Sequence, residues 1–292
     1  MNSIYPVILA NTKFSIDLLQ ERCLKDETSN VLFSPLSISS ALGLVVLGAR
    51  GETKDQIMTT LYFGQIKIMY HDLYEAINKS SYCYKLMLAN RLYGEISCDF
   101  KDDGIKTVPM MCQTDKFPLA TIDEADCRIL ELFYEHKELS MFILLPNRMD
   151  LKKIESLITY EKLQEWTQED KFLITEIKIS LPKMEMEITY KLSASLKCLG
   201  IFDSFLDHCD FSDMTSNPLK LSDVVNKSGI FMNEISTEAQ AGTGPTTTLQ
   251  NSEKFGSTDG NQVSFVADHP FLFFIRHNDT KSILFWGRYC SP

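Results

Sequence analysis

No two of the eight cysteines (Cys23, Cys83, Cys98, Cys112, Cys127, Cys198, Cys209, Cys290) form a Cys-x-x-Cys pair. Scattered spacing of this kind supports neither a zinc site nor a small disulfide framework, so the thiols are read as reduced. Basic runs are missing too. The 292 residues carry a formal net charge of −10, with a pI near 5.1. Phosphate recognition needs clustered Lys and Arg, so this balance excludes nucleic acid and anionic membranes as partners. No run reaches the apolar length of a membrane span. The N-terminus lacks a positive start, and its apolar stretch is broken by Pro6 and by the polar Asn11-Thr-Lys, so no cleaved signal peptide is expected. The five histidines (His71, His136, His208, His269, His277) show no His-Glu-x-x-His spacing, and there is no Gly-x-Ser-x-Gly elbow. Gly48-Ala-Arg-Gly51 has neither the Lys-Ser/Thr ending nor the preceding strand of a phosphate loop. The sequence therefore predicts no enzyme, no metal and no cofactor.

What is present is 44% hydrophobic and long enough to bury a sizeable core. Phe14, Leu18, Leu19 and Cys23 recur at helical spacing over Thr12 to Leu24. Ser34 before Pro35 is a helix cap followed by a first-turn proline; the apolar segment after it predicts a central buried helix ended by Gly51. Further helices are expected over Thr53–Leu61, His71–Ile77 and Leu151–Trp166. Tyr84–Tyr93 could pass from helix into strand. Two apolar runs, Cys127–Tyr134 and Leu139–Pro146, flank the charged Glu135-His-Lys-Glu and read as a hairpin of buried strands. Ile177, Ile179 and Leu181, then Met184, Met186 and Ile188 after Pro182, give the period of one long half-buried strand. Mostly helices followed by mostly strands, with no βαβ rhythm, is the pattern of an α+β fold.

The stretch from Gly229 to Val266 differs in kind. Its middle, Thr237-Glu-Ala-Gln-Ala-Gly-Thr-Gly-Pro-Thr-Thr-Thr-Leu-Gln, is small and nearly uncharged, and cannot bury enough apolar surface to hold one conformation. A structureless loop this long inside a domain is usually functional. The strand-like Asp268–Arg276 and the short tail beyond it leave no room for a second domain. The loop thus reads as an excursion from one domain, presented between two buried strands.

Several stretches together resemble the serpin family, in particular its ovalbumin-type, leaderless branch. They are Asn30-x-x-Phe-Ser-Pro-Leu-Ser-Ile with Leu47-Gly-Ala-Arg-Gly-Glu-Thr, Ala89-Asn-Arg-Leu-Tyr-Gly, Leu139-Ser-Met-Phe-Ile-Leu-Leu-Pro, Asp210-Phe-Ser-Asp-Met, Leu221-Ser-Asp-Val, and Asp268-His-Pro-Phe-Leu-Phe-Phe-Ile-Arg through Gly287-Arg-Tyr-Cys-Ser-Pro. The resemblance implies one serpin-like domain over 1–292, with helices packed on mainly antiparallel sheets and an exposed reactive-centre loop at about 234–262. It implies a cytoplasmic protein, with release to the extracellular space without a cleaved signal also open. A serine or cysteine protease would cleave the loop through its own nucleophile, and the freed loop would insert as a strand into the large sheet. Glu234 matches the acidic hinge residue; Thr237, Glu238, Ala239, Ala241, Gly242 and Thr243 are small enough, or well enough placed, to insert. Counting from Glu234 puts the reactive bond at Gln250–Asn251. If the loop is longer than usual, Lys254–Phe255 is the alternative.

Three departures from the family pattern stand out. Ser236 and Gln240 replace the usual glycine and alanine of the hinge, which predicts slower insertion. In the shutter beneath the opening sheet, Ser34 and Ser37 match, but Asn226 stands where a histidine is usual. Near 95–106 a segment of roughly ninety residues is expected to be missing, judged against family length (the scale on which domain sizes are compared). With it would go two helices and the strand bearing Asn-Ala-x-Tyr-Phe-Lys-Gly, a string this chain lacks. Losing a central strand exposes unpaired backbone, so impaired inhibition and self-association through an open edge of that sheet are expected.

Overall fold

The computed structural model describes residues 4–64, 70–78, 110–232, 237–238 and 263–291. The first helix, α1 (Tyr5–Lys25), begins upstream of the expected Thr12. Pro6 lies in its first turn, where a missing N–H costs nothing. Its buried stripe includes Val7, Ala10, Asn11, Phe14, Leu18 and Cys23. After the short strand β1 (Val31–Phe33), Ser34 caps α2 (Pro35–Gly48) as predicted. Gly51 does not end that helix. With φ +51° it opens α3 (Gly51–Thr60), the left-handed backbone turning the chain between two helices. Helix α2 is also not buried all round, since Leu44 and Leu47 are each 64% exposed. Helix α4 (Tyr70–Asn78) follows. Tyr84–Tyr93 and the expected break near 95–106 lie outside the described residues.

Strand β2 (Met110–Ile122) is longer than anything its sequence announces. Strands β3 (Cys127–Phe133) and β4 (Leu139–Pro146) form the expected hairpin. The single helix expected over 151–166 is two, α5 (Lys152–Leu157) and α6 (Tyr160–Trp166), parted at Ile158 and restarted by the Thr159 cap. The single long strand expected around Pro182 is also two, β5 (Leu173–Pro182) and β6 (Met184–Lys191), which belong to different sheets. Helix α7 (Ser193–Cys198) precedes Gly200 at φ +115°. The rest is β7 (Val225–Met232), β8 (Thr237–Glu238), β9 (Val263–Val266), β10 (Phe271–His277) and β11 (Ile283–Tyr289).

Eight strands form one sheet in the order β1-β11-β10-β4-β3-β2-β5-β9, and the other sheet is β6-β7-β8. The core lies on β4, β10 and β11. Every residue of β4 and β10 is buried, which explains their predominantly apolar composition, with Ser140, Arg276 and His277 as the buried polar exceptions. Phe274 stacks on Phe142 at 4.8 Å between centroids and tilts against Trp286 at 4.8 Å. The Trp286 indole N–H donates to Ser15 Oγ at 3.0 Å, docking α1 on this sheet. Met184 and Met186 fill the core under the smaller sheet, while Met110 and Met111 are only half-buried.

Candidate functional site

The loop is reached from two different sheets. On its N-terminal side β7 runs antiparallel to β6 along its full length, from Lys191↔Val225 to Met184↔Met232. Its alternate residues Asn226, Ser228, Ile230 and Met232 are buried. The chain then folds back: β8 pairs antiparallel with the end of β7, Met232 opposite Thr237 and Phe231 opposite Glu238. Two of the expected hinge residues, Thr237 and Glu238, are thus already in sheet pairing. The other hinge residues (Glu234, Ser236, Ala239, Gln240, Ala241, Gly242, Thr243) and both candidate bonds (Gln250–Asn251, Lys254–Phe255) lie outside the described residues.

On the C-terminal side the loop enters β9, which runs parallel to β5 from Ile177↔Val263 to Ser180↔Val266. This strand is not buried as expected; within it only Phe265 is covered. It is fastened by Arg128 of β3, whose Nη1 donates to Ser264 O at 2.6 Å and whose guanidinium lies 5.2 Å from the Phe265 ring centre. Burial pushes the Arg128 pKa down from its usual value. Sequence reasoning missed this anchor. Its only signal was a charge, one of two with Glu131, within an otherwise apolar strand.

At the start of α2, Ser34 Oγ accepts from the Ser37 N–H at 3.3 Å, and both serines are buried. Helix α2 is tied to its neighbours through Ser39 Oγ, which donates to Asn11 Oδ1 at 2.9 Å, while Asn11 Nδ2 donates to Ile283 O of β11 at 3.2 Å. Strand β1 packs against both β6 and β7. Asn226, on the buried face of β7, accepts from Ser228 Oγ at 3.0 Å. Opposite it in the ladder is Tyr190, whose hydroxyl donates to Asn30 O at 3.4 Å and whose ring carries the Arg22 guanidinium at 4.2 Å. Burial raises the Tyr190 pKa. Tyr190 and Ser228 therefore join Asn226 on one face of the smaller sheet, while Asn11 and Ser39 tie α1 and α2 to β11; the sequence alone singled out none of these four.

Among the described residues no group of three or more His, Cys, Asp or Glu could hold a metal ion. Nor is any helix among them long and apolar enough to cross a membrane. Three histidines have local partners. His269 bonds Asp268 and Pro146 O, each at 2.8 Å, and exposed His208 pairs with buried Asp203 at 2.9 Å. His277 is wholly buried, and its Nδ1 accepts from the Thr280 N–H at 3.3 Å. Burial lowers its pKa below the ordinary 6.5, against the weaker pull of Asp279 and Glu138. A base with a depressed folded-state pKa binds fewer protons folded than unfolded, so stability falls as pH drops below 6.5. Nearby Glu131, whose pKa is raised by burial, acts in the opposite sense in the carboxylate range. The expected result is a lower Tm at pH 5.5 than at pH 7.5, with a smaller difference in His277→Gln; an unchanged difference would remove His277 as the cause.

The family model described as Serpin (serine protease inhibitor) matches this chain over residues 9–103 and 99–292. The chain is 34% identical to the leukocyte elastase inhibitor of Bos taurus over 378 aligned residues, covering 97% of this chain and 98% of that protein. It is 32% identical to Serpin B8 of Homo sapiens over 375 residues, with the same two coverages. Both alignments are longer than the 292 residues of the chain, so each opens a large gap in it. Among solved structures, a tumour-suppressing serpin superposes with a TM-score of 0.79 at 25% identity, covering 99% of this chain and 100% of that one. Uncleaved ovalbumin gives 0.78 at 24% identity, covering 98% and 100%, a likeness of fold.

Proposed function

This chain belongs to the serpin family, and from that premise we propose that it is an inhibitor-type serpin, shortened near residues 95–106, whose loop at about 234–262 is bait for a serine protease. The observation that carries the reading is the hinge already paired to β7. Continuing the register of Met232↔Thr237 and Phe231↔Glu238 would set Ala239, Ala241 and Thr243 opposite Ile230, Ser228 and Asn226, on the buried face of β7. Glu238, Gln240 and Gly242 would fall opposite Phe231, Gly229 and Lys227, on its other face. Side chains alternate across a strand, so the residues required to be small are those directed inward. Gln240 would direct its amide outward, and is a lesser obstacle than its size alone suggests.

The chemistry would be supplied by the protease. Its nucleophile attacks the carbonyl carbon of Gln250, or of Lys254 in the longer register, and the peptide nitrogen of Asn251 or Phe255 leaves, giving an acyl-enzyme. Insertion beside β7 would then carry the protease away from its productive geometry. A cytoplasmic location and a cysteine protease as second target class are the finer parts of this proposal, drawn from the family resemblance.

A second reading is favoured by one feature. Among the described residues, β7 has β6 along one side and only the two residues of β8 on the other. An inserting loop would then have one flanking ladder in place of two, which favours cleavage as a plain substrate.

The test is incubation with trypsin-like, chymotrypsin-like, elastase-like and cathepsin-like proteases, followed by denaturing electrophoresis and mass spectrometry of the released peptide. A covalent complex with a peptide beginning at Asn251 or Phe255 is the expected result. Cleavage there without a complex establishes the substrate reading. Resistance of 239–262 to every protease overturns both.

A further inference from the structure

Among the described residues, the large sheet has an open edge that the inhibitory reading does not use. Strand β2 pairs with β5 without interruption from Met110↔Pro182 to Leu119↔Leu173. On its other side it meets β3 only from Leu119↔Leu130 to Ile122↔Cys127. Among the described residues, positions 110–118 therefore have a ladder on one side and none on the other. The exposure agrees with this. Residues 112–116 are all exposed, although Ile177 and Ile179, opposite Asp115 and Gln113 on β5, are buried. A long, regular edge with unpaired N–H and C=O groups is a template for another strand. The usual protections are sparse here: Lys116 is the one Lys or Arg within the edge, and Pro118 stands at its end.

The geometry points to a second copy of this chain as the occupant, its own 110–118 edge pairing antiparallel about a two-fold axis through Thr114. A closed dimer formed edge to edge places the axis perpendicular to the sheet, so a residue meets one on the same face. Charge then selects the register. An axis at Asp115 or Lys116 would set like charges directly opposite, which is destabilising. An axis at Thr114 sets Thr114 against Thr114, Gln113 against Asp115, Cys112 against Lys116 and Met111 against Phe117. Each unlike pair occurs twice. No like charges meet, the amide of Gln113 can donate to the Asp115 carboxylate, and the aromatic ring of Phe117 meets a methionine. The same axis is the midpoint of the open stretch, so it also gives the longest overlap. This edge belongs to the eight-stranded sheet, and pairing along it is independent of whether the loop inhibits anything.

The test is sedimentation equilibrium of the whole protein at micromolar to tens-of-micromolar concentration. A reversible species of twice the 33.3 kDa chain mass is expected. Gln113→Asp sets like charges opposite twice and should weaken the dimer by roughly tenfold in Kd, whereas Gln113→Lys should tighten it. Position 113 is exposed, and circular dichroism melts verify that neither variant unfolds. In Lys116→Cys treated with diamide, a thiol-reversible dimer should form whose linked peptides join the introduced thiol to the partner's Cys112. A wild-type chain that stays monomeric across the range overturns the proposal, as it would if residues of the same chain covered the edge. A dimer insensitive to both Gln113 substitutions, with cross-links mapping elsewhere, overturns the register and the surface with it.

Discussion

Arg288→Met is expected to cost about 3–5 kcal/mol of stability, the range for breaking a buried pair by removing one partner. Arg288 lies on β11 with 1% of its surface exposed. Its Nη1 donates to Glu155 Oε1 at 3.1 Å, its Nε and Nη2 to Ser29 O at 3.1 and 2.9 Å, and its Nη2 also to Asp26 O. One side chain thus satisfies two backbone carbonyls after α1 and a carboxylate on α5. Methionine fills much of the volume and supplies no donor, leaving Glu155 charged in a largely enclosed place. Domains are stable by only about 5–15 kcal/mol, so most of the variant should unfold at modest urea. Urea midpoints at constant m-value measure the loss. Adding Glu155→Leu should recover part of it, because an apolar replacement of the whole pair removes the stranded charge. A loss under about 1 kcal/mol in the single variant would show that the pair contributes little.

Gly287→Ala, one residue away, is expected to be nearly as damaging for an unrelated reason. A Cβ at Gly287 would fall within the ring of Phe273, which is opposite it in the β10–β11 ladder and wholly buried. The ring cannot retreat, because it is enclosed in the core beside Phe271, whose centroid is 6.2 Å away. Overpacking of this kind typically costs about 1–3 kcal/mol, and occasionally more where backbone must shift. The top of that range or beyond is expected, since Gly287 also pairs with Leu32 of β1 on its other side. Moving β11 to relieve the ring would strain that ladder as well. The measurement is the Tm of Gly287→Ala beside Gly229→Ala; the second has only ordinary contact to the Met186 carbonyl oxygen at 3.7 Å and should lose much less. Equal losses would refute the clash.

The residues that announced themselves in sequence did so because one local rule was enough. Ser34-Pro35 reads as a cap whatever surrounds it, and Leu139–Pro146 is apolar apart from Ser140 because β4 is buried on both faces. Gly51 misled because a glycine after an apolar run usually ends a helix, whereas here its left-handed turn starts the next one. The break between β5 and β6 did leave a trace, since the apolar positions change from odd (Ile177, Ile179, Leu181) to even (Met184, Met186, Ile188) across Pro182. One continuous strand cannot change parity without moving its buried set to the other face. Strand β2 left almost none, because an exposed edge needs no apolar alternation over 112–116.

By itself, the sequence determined the family and the α+β class, which rest on ordered strings and on composition. The tertiary structure alone decided that β5 and β6 part into two sheets, that Arg128 fastens the far end of the loop, and that Asn226 sits among Ser228 and Tyr190. It also decided that Thr237 and Glu238 fold back on β7 and that, among the described residues, β2 presents an open edge. These depend on which strands become neighbours. Pairing is settled by contacts between residues far apart in the chain, which no local pattern encodes.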